Sequence, residues 1–224
     1  VTRSIVLCIA LITAIAAAHP ALAQSFNVRL GQTSLGVLSF DAAGPRSVLR
    51  STLTDTPLGV FNGTFNGVSE KTGAAQKFTG VSQSSRKSRQ VSTVIDQGRA
   101  VQTNVTPEKE RTDLSDIDKV PQGVVDPVIA IGGLINASGG CPKGVHIYDG
   151  RRAIALAPQE SAQDGDTLTC KIAYTVIAGP GHLSPLRISS ARMRLSYDVS
   201  GGGQKLTQMK LGSGIFNLYL DRVQ

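Results

Sequence analysis

The sequence predicts an all-β, mainly antiparallel domain: a curved sheet or partly closed barrel carrying one short helix and one disulfide. Three observations lead there. Short runs alternate apolar and polar residues, as Phe26, Val28 and Leu30 do against Ser25, Asn27 and Arg29, which is the period-two pattern of a half-buried strand. Turn residues interrupt those runs throughout, with 24 glycines and 10 prolines in 224 residues. Cys141 and Cys170 bracket the most sharply punctuated part of the chain, with Asp149-Gly150 and Asp164-Gly165 between them.

The first residues bear on the compartment. Arg3 precedes an apolar run from Ile5 to Ala18, Pro20 breaks it, and Ala21-Leu22-Ala23 is a small-x-small cleavage site, so residues 1–23 read as a signal peptide cut before Gln24. The run is shorter than the roughly 20 residues of a bilayer span, so no transmembrane span is expected in the mature chain. Val1 suggests a non-standard bacterial start codon, and with it a periplasmic location. Residues 24–224 then form a single β-rich domain of 201 residues (224 − 23), a common size for one domain. The net charge falls from +7 to +6, because the leader holds one arginine and no acid. Such a charge suits anionic lipid headgroups, lipopolysaccharide or an acidic protein, and it also serves plain solubility. A chain with no tryptophan and 4% aromatic residues lacks the stacking platforms of single-strand nucleic-acid or sugar binders, so no nucleic-acid partner is expected.

Residues 24–105 read as short strands: 26–30, 35–40, 47–53, 58–61, 65–69 and 91–95. Arg86, Lys87 and Arg89 lie just before the last of these, as a solvated loop or as a grip for an anionic group. Pro107 to Gly123 is charged and poor in large apolar groups. It reads as a long surface loop, a place for a flap or a partner contact.

Asp126-Pro127 is a helix start, with aspartate as N-cap and proline where its missing N–H costs nothing. Gly132-Gly133 weakens that helix by roughly 1 kcal/mol per glycine, so it should be short or kinked. Residues 145–148, 151–157 and 167–177 form a meander, with Asp149-Gly150 suited to a two-residue hairpin turn. Cys170 shares the inward face with Leu168, Ile172, Tyr174 and Val176. In an oxidising compartment it should bond Cys141, closing a separation of 29 positions (170 − 141) that stabilises by roughly 3 to 4 kcal/mol. Strands one and three of a meander lie about 9 to 10 Å apart, beyond the roughly 7 Å Cα limit of a disulfide. Cys141 must therefore leave the sheet, and the helix should be pinned across its inner face like a plug. Alternating residues 191–199, the Gly201-Gly202-Gly203 turn and runs 205–211 and 215–223 complete the chain. Arg192 and Arg194, with Lys205 and Lys210, could form a basic outer face, or could protect an edge against aggregation.

Catalytic motifs are missing: the sequence has no Gly-x-Ser-x-Gly, Cys-x-x-Cys, phosphate loop or His-Glu-x-x-His. His146 and His182 are isolated in sequence. Asp164 and Asp166 are too few for a calcium loop, and no spacing pairs Asp113, Asp116 and Asp118. No catalytic residue, metal or cofactor is expected.

The order Thr106-Pro107, charged loop, Val125-Asp126-Pro127, apolar segment, Cys141, Tyr148-Asp149-Gly150-Arg151-Arg152 and Cys170 resembles exported bacterial proteins of the domain-of-unknown-function family DUF-3108. The resemblance spans most of the mature chain, although Gly132-Gly133 stands where a leucine- and alanine-rich helix would be expected. It implies a curved antiparallel sheet wrapped toward a barrel, similar to periplasmic lipoprotein carriers and lipocalin-like binders. The function expected is therefore a non-enzymatic envelope module binding a lipid, acyl chain or lipoprotein. The alternatives are an interaction protein docking an envelope partner, and a hydrolase using His146 or His182.

Overall fold

The computed structural model describes residues 23–54, 56, 62–84, 87–182, 188–214 and 216–223. Fourteen strands form one sheet: β1 (Gln24–Leu30), β2 (Thr33–Ala43), β3 (Arg46–Leu53), β4 (Gly63–Thr72), β5 (Ala75–Ser84), β6 (Ser88–Asp96), β7 (Arg99–Thr106), β8 (Val124–Val125), β9 (Val145–Tyr148), β10 (Ala153–Asp164), β11 (Thr167–Ala178), β12 (Ser190–Asp198), β13 (Lys205–Ser213) and β14 (Phe216–Arg222). Their order is β7-β6-β5-β4-β3-β2-β1-β14-β13-β12-β11-β10-β9-β8. Every pairing is antiparallel except β8 with β9, so the sheet is two meanders joined where β1 meets β14. It rolls into a nearly closed barrel, as the alternation of small runs anticipates. Alternation also means that the β1–β2, β9–β10, β11–β12 and β13–β14 turns share one rim, here called the upper.

The helix α1 (Pro127–Ile135) stops the lower mouth. Asp126 caps it, Oδ1 accepting from the Val128 and Ile129 amides at 2.8 and 3.1 Å and Oδ2 from Ser69 Oγ at 2.5 Å. Burial raises the Asp126 pKa, and those three hydrogen bonds partly oppose the rise. Beyond the helix, Asn136 accepts from Gln24 Nε2 at 2.7 Å, Gly140 exchanges two bonds with the Gln204 side chain, and Cys141 is bonded to Cys170 with Cα atoms 5.6 Å apart. Cys141 has left the sheet, as the strand spacing requires. Val128, Ala130, Leu134 and Ile135 are buried among Phe26, Phe40, Leu49, Met193, Leu195 and neighbouring inner-wall residues, and the Tyr197 hydroxyl donates to Leu134 O at 2.7 Å.

Several expectations shift. Strands β5 and β7 replace stretches that show little large-residue alternation, and the expected strand at 58–61 lies outside the described residues. The Asp149-Gly150 turn is four residues long, because Tyr148 pairs with Ala153. Asp149 Oδ1 accepts from both Arg151 N and Arg152 N at 2.9 Å, and that side-chain bonding competes with the tighter hairpin turn. Asp164-Gly165 does open the two-residue turn that joins β10 to β11. The 107–123 segment is three short 3-10 turns with Leu114 and Ser115 buried. It lies along β7 and covers the gap between the two ends of the sheet.

Gly132 has a packing reason. A Cβ there would stand 2.5 Å from Phe40 Cζ, whereas one at Gly133 would meet nothing within 4 Å. Phe40 is 3% exposed and cannot move aside. We expect Gly133→Ala to stabilise by up to about 1 kcal/mol and Gly132→Ala to destabilise by roughly 1 to 3 kcal/mol despite its better helix propensity. Urea denaturation of the two variants checks this. A Gly132→Ala variant at least as stable as the wild type would contradict the tight helix-to-wall contact.

Candidate functional site

Three places gather chemistry-bearing side chains: the seam, the upper interior and the outer wall. At the seam, Glu110 receives three cations, Arg89 Nη2 at 2.8 Å, Lys87 Nζ at 3.3 Å and Arg151 Nη2 at 3.3 Å. The sequence-level cluster at 86–89 is thus largely an internal latch, and Arg86 lies outside the described residues. Beside it, Thr112 Oγ1 donates to Arg151 O at 2.6 Å and Ser115 Oγ to Gly150 O at 3.0 Å. The buried Tyr148 hydroxyl bonds Leu114 O and Thr103 Oγ1, and burial pushes its pKa up to about 12. Val124 N reaches Gly98 O at 3.0 Å. The seam is closed by side chains and turns, where a fully closed barrel would use a strand ladder.

At the upper rim, Tyr174 points inward from β11 and its hydroxyl is hydrogen-bonded to His182 Nε2. His182 is fixed by two 2.8 Å backbone bonds to Ile188. Burial first, and the charge of Arg152 second, lower its pKa to about 4. Burial likewise raises the Tyr174 pKa. Arg152 is 6% exposed, with Asp149 Oδ2 at 3.1 Å from Nε. His146 is exposed on β9. Among the described residues no carboxylate hydrogen-bonds either histidine and no group of three potential metal ligands occurs.

Beside the helix there is little room. Between Ile131 and Ile135 of α1 and the wall residues Phe26, Leu38, Leu206 and Met209 lies a space of only about 20 Å³, against the roughly 300 to 1,000 Å³ of small-molecule sites. An open surface depression of about 410 Å³ lies at the ends of β3, β4 and β5, lined by Thr52, Leu53, Asn62, Thr64 and Gln83, none of them charged.

The outer wall carries the sharpest arrangement. Lys171 stands opposite Arg194, Arg194 opposite Lys210, Lys210 opposite Tyr219, and Tyr219 opposite Arg29. One row therefore crosses five strands, from β11 to β1, about 19 Å at roughly 4.8 Å per strand. Tyr219 is held between two cations, Arg29 at 4.9 Å and Lys210 at 5.2 Å from the ring centroid. Arg192 lies two residues along β12 from Arg194, on the same face. At the margins Lys171 pairs with Glu160 at 2.6 Å and Arg29 with Asp221 at 2.6 Å. No carboxylate among the described residues pairs with Arg192, Arg194 or Lys210. Five cations against two carboxylates leave this wall three charges positive.

Sequence reasoning found Arg192 and Arg194 but missed Arg29, Lys171 and Tyr219. Lys171 joins the row through the β11–β12 pairing and Tyr219 through β13–β14, whereas Arg29 joins it only through the pairing of β1 with β14, which no local pattern announces. No protein-family model matches the chain, and no curated protein matches it.

Burial raises the Glu110 pKa, but Arg89, Lys87 and Arg151 together outweigh it and hold the carboxyl below its ordinary value. A depressed carboxylate contributes stability that is present above the unfolded pKa of roughly 4.3 and is lost as pH falls through the folded one. Glu110→Gln should therefore melt lower than wild type at pH 7, with the gap narrowing as pH falls below the unfolded value of roughly 4.3. Thermal melts across that range check it, and a gap independent of pH would contradict the latch.

Proposed function

We propose that this chain is a non-enzymatic module of the bacterial envelope whose outer wall, β11 through β1, docks on anionic lipid headgroups. The carrying observation is the register of Lys171, Arg194 and Lys210. Like charges directly opposite one another destabilise a sheet, and edge protection does not account for them, because β12 and β13 lie inside the sheet order. Tyr219, partly exposed between two cations, is the kind of side chain that suits a membrane interface. The cost in fold stability is offset when phosphates lie along the row.

The lipid reading moves from the inside of the barrel to its surface, since the space beside α1 is too small for an acyl chain. Each basic residue near an anionic membrane contributes about 1 kcal/mol, so three net charges support reversible, salt-sensitive docking and no permanent anchor. Residues 1–23 as a signal peptide and a periplasmic location belong to the same proposal, and the Cys141–Cys170 bond supports an oxidising compartment. The resemblance to the DUF-3108 proteins enters it through motif order alone.

Arg194→Glu separates this reading from a purely structural one. It places an acid between Lys171 and Lys210, so the fold should gain about 0.2 to 1 kcal/mol. Binding to vesicles of phosphatidylglycerol and phosphatidylcholine should meanwhile weaken by about 30-fold, two charge units at about 1 kcal/mol each. Co-sedimentation and denaturation measure the two effects. Equal binding to pure phosphatidylcholine, or no effect of salt, would remove the headgroup reading. Selective cross-linking of one acidic envelope protein to the row would transfer it to that partner.

A further inference from the structure

The basic row of the outer wall has a gap beside it. One step toward the upper rim, the next outward row runs Ala173, Arg192, Gly212 and Asn217 across β11, β12, β13 and β14. Arg194 stands between two cations, Lys171 and Lys210, whereas Arg192 stands between an alanine and a glycine. Glycine within a strand marks a bulge, a tight bend, or a close approach by a ligand or another backbone. Gly212 has no bulge, since it pairs in register with Arg192 on one side and Asn217 on the other. Its φ is negative, so the backbone does not demand a glycine. No backbone crosses over it either. Among the described residues a Cβ there would find only Asn217 Oδ1 at 3.2 Å and the paired Arg192 carbonyl oxygen at 3.9 Å. Approach by a ligand is the reading that is left.

The groups round this space are matched to phosphate. Arg192 and Asn217 flank Gly212 directly, and Lys210 and Arg194 lie one step down the wall, at roughly 7 Å between Cα atoms, within reach of long side chains. Arg192 and Arg194 are exposed, and Lys210 Nζ lies over the Tyr219 ring at 5.2 Å from its centroid. None of the three cations pairs with a carboxylate among the described residues. We propose that Gly212 is the floor of a seat for one phosphomonoester headgroup, held by Arg192, Arg194 and Lys210, with the Asn217 amide as a neutral donor. The seat rests on the headgroup-docking reading and names the lipid class that it favours. A phosphomonoester carries roughly 1.5 to 2 negative charges and three acceptor oxygens, and a diester carries less of both. Three unpaired cations around one spot suit the former, and each guanidinium can offer two parallel N–H bonds to it. A side chain at position 212 would stand where the phosphate oxygens must go.

The test is binding of the intact chain to phosphatidylcholine vesicles that carry either phosphatidic acid or phosphatidylglycerol. The two sets are adjusted to equal surface potential at about pH 8, above the second ionisation of a monoester. Long-range attraction is then the same for both, and a difference reports the seat. Phosphatidic acid should bind tighter by about 10-fold or more, the worth of one further charge-assisted hydrogen bond. Gly212→Val keeps every charge and suits a strand, and it should erase that preference. Arg192→Gln, the second variant should the first fold poorly, should erase it too while weakening binding to both lipids. Equal affinity of the wild type for the two lipids, or a preference for phosphatidylglycerol, would overturn the seat and leave headgroup docking standing. Absence of binding to either would remove both readings. A preference that survives in either folded variant would also overturn the seat.

Discussion

The inner face of the sheet is arranged about α1, a nine-residue helix held at both ends. At its start Asp126 satisfies two orphan amides and takes a third bond from Ser69 on β4. Just past its end, Cys141 is covalently tied to Cys170 on β11. A helix so short is marginal by itself, so packing and these two fastenings supply what propensity does not. Once it is in place, the wall residues at the lower mouth have their apolar partners, and the space left beside it is too small to receive a ligand.

Closure of the barrel follows a different rule. A sheet whose ends meet through a ladder has no edges, but here β7 and the two-residue β8 do not form one. The 107–123 segment fills the gap with short turns, a small cluster of Ile95, Ala100, Leu114, Val124, Tyr148 and Ala153, and the Glu110 latch. Charge is thus used in two ways. At the seam three cations converge on one buried carboxylate and stabilise the fold. On the outer wall three cations face one another in register without a carboxylate between them, an arrangement that costs stability.

Much of this was legible in the sequence where the cause is local. Alternation marks β1, β11 and β12, Asp126-Pro127 marks the helix start, and the spacing of strands requires Cys141 to leave the sheet. The illegible parts depend on contacts distant along the chain. β5 is built on Phe78 and Gly80, whose alternation is hidden because glycine counts as small in sequence but as inner wall in the fold. Gly132 looked like a weakness in the helix until Phe40 of β2 was found against it. The charged stretch at 107–123 resembled a free loop because its buried residues, Glu110, Leu114 and Ser115, are few and separated. The outer row is half visible as Arg192, Arg194 and Lys210. Its other members lie on β11, β14 and β1, and edge protection does not fit Arg194, because β12 is paired on both sides, with β11 and β13.

The central claim is that α1 is a clamped plug closing the lower mouth. Hydrogen–deuterium exchange on the intact chain, before and after reduction of the disulfide, tests it most directly. The account predicts that amides 130–135 exchange as slowly as those of β1 and β12 in the oxidised protein. It predicts that reduction accelerates them selectively, while the wall strands keep their protection. Helix amides that exchange rapidly in the oxidised protein, or that are unaffected by reduction, would contradict it.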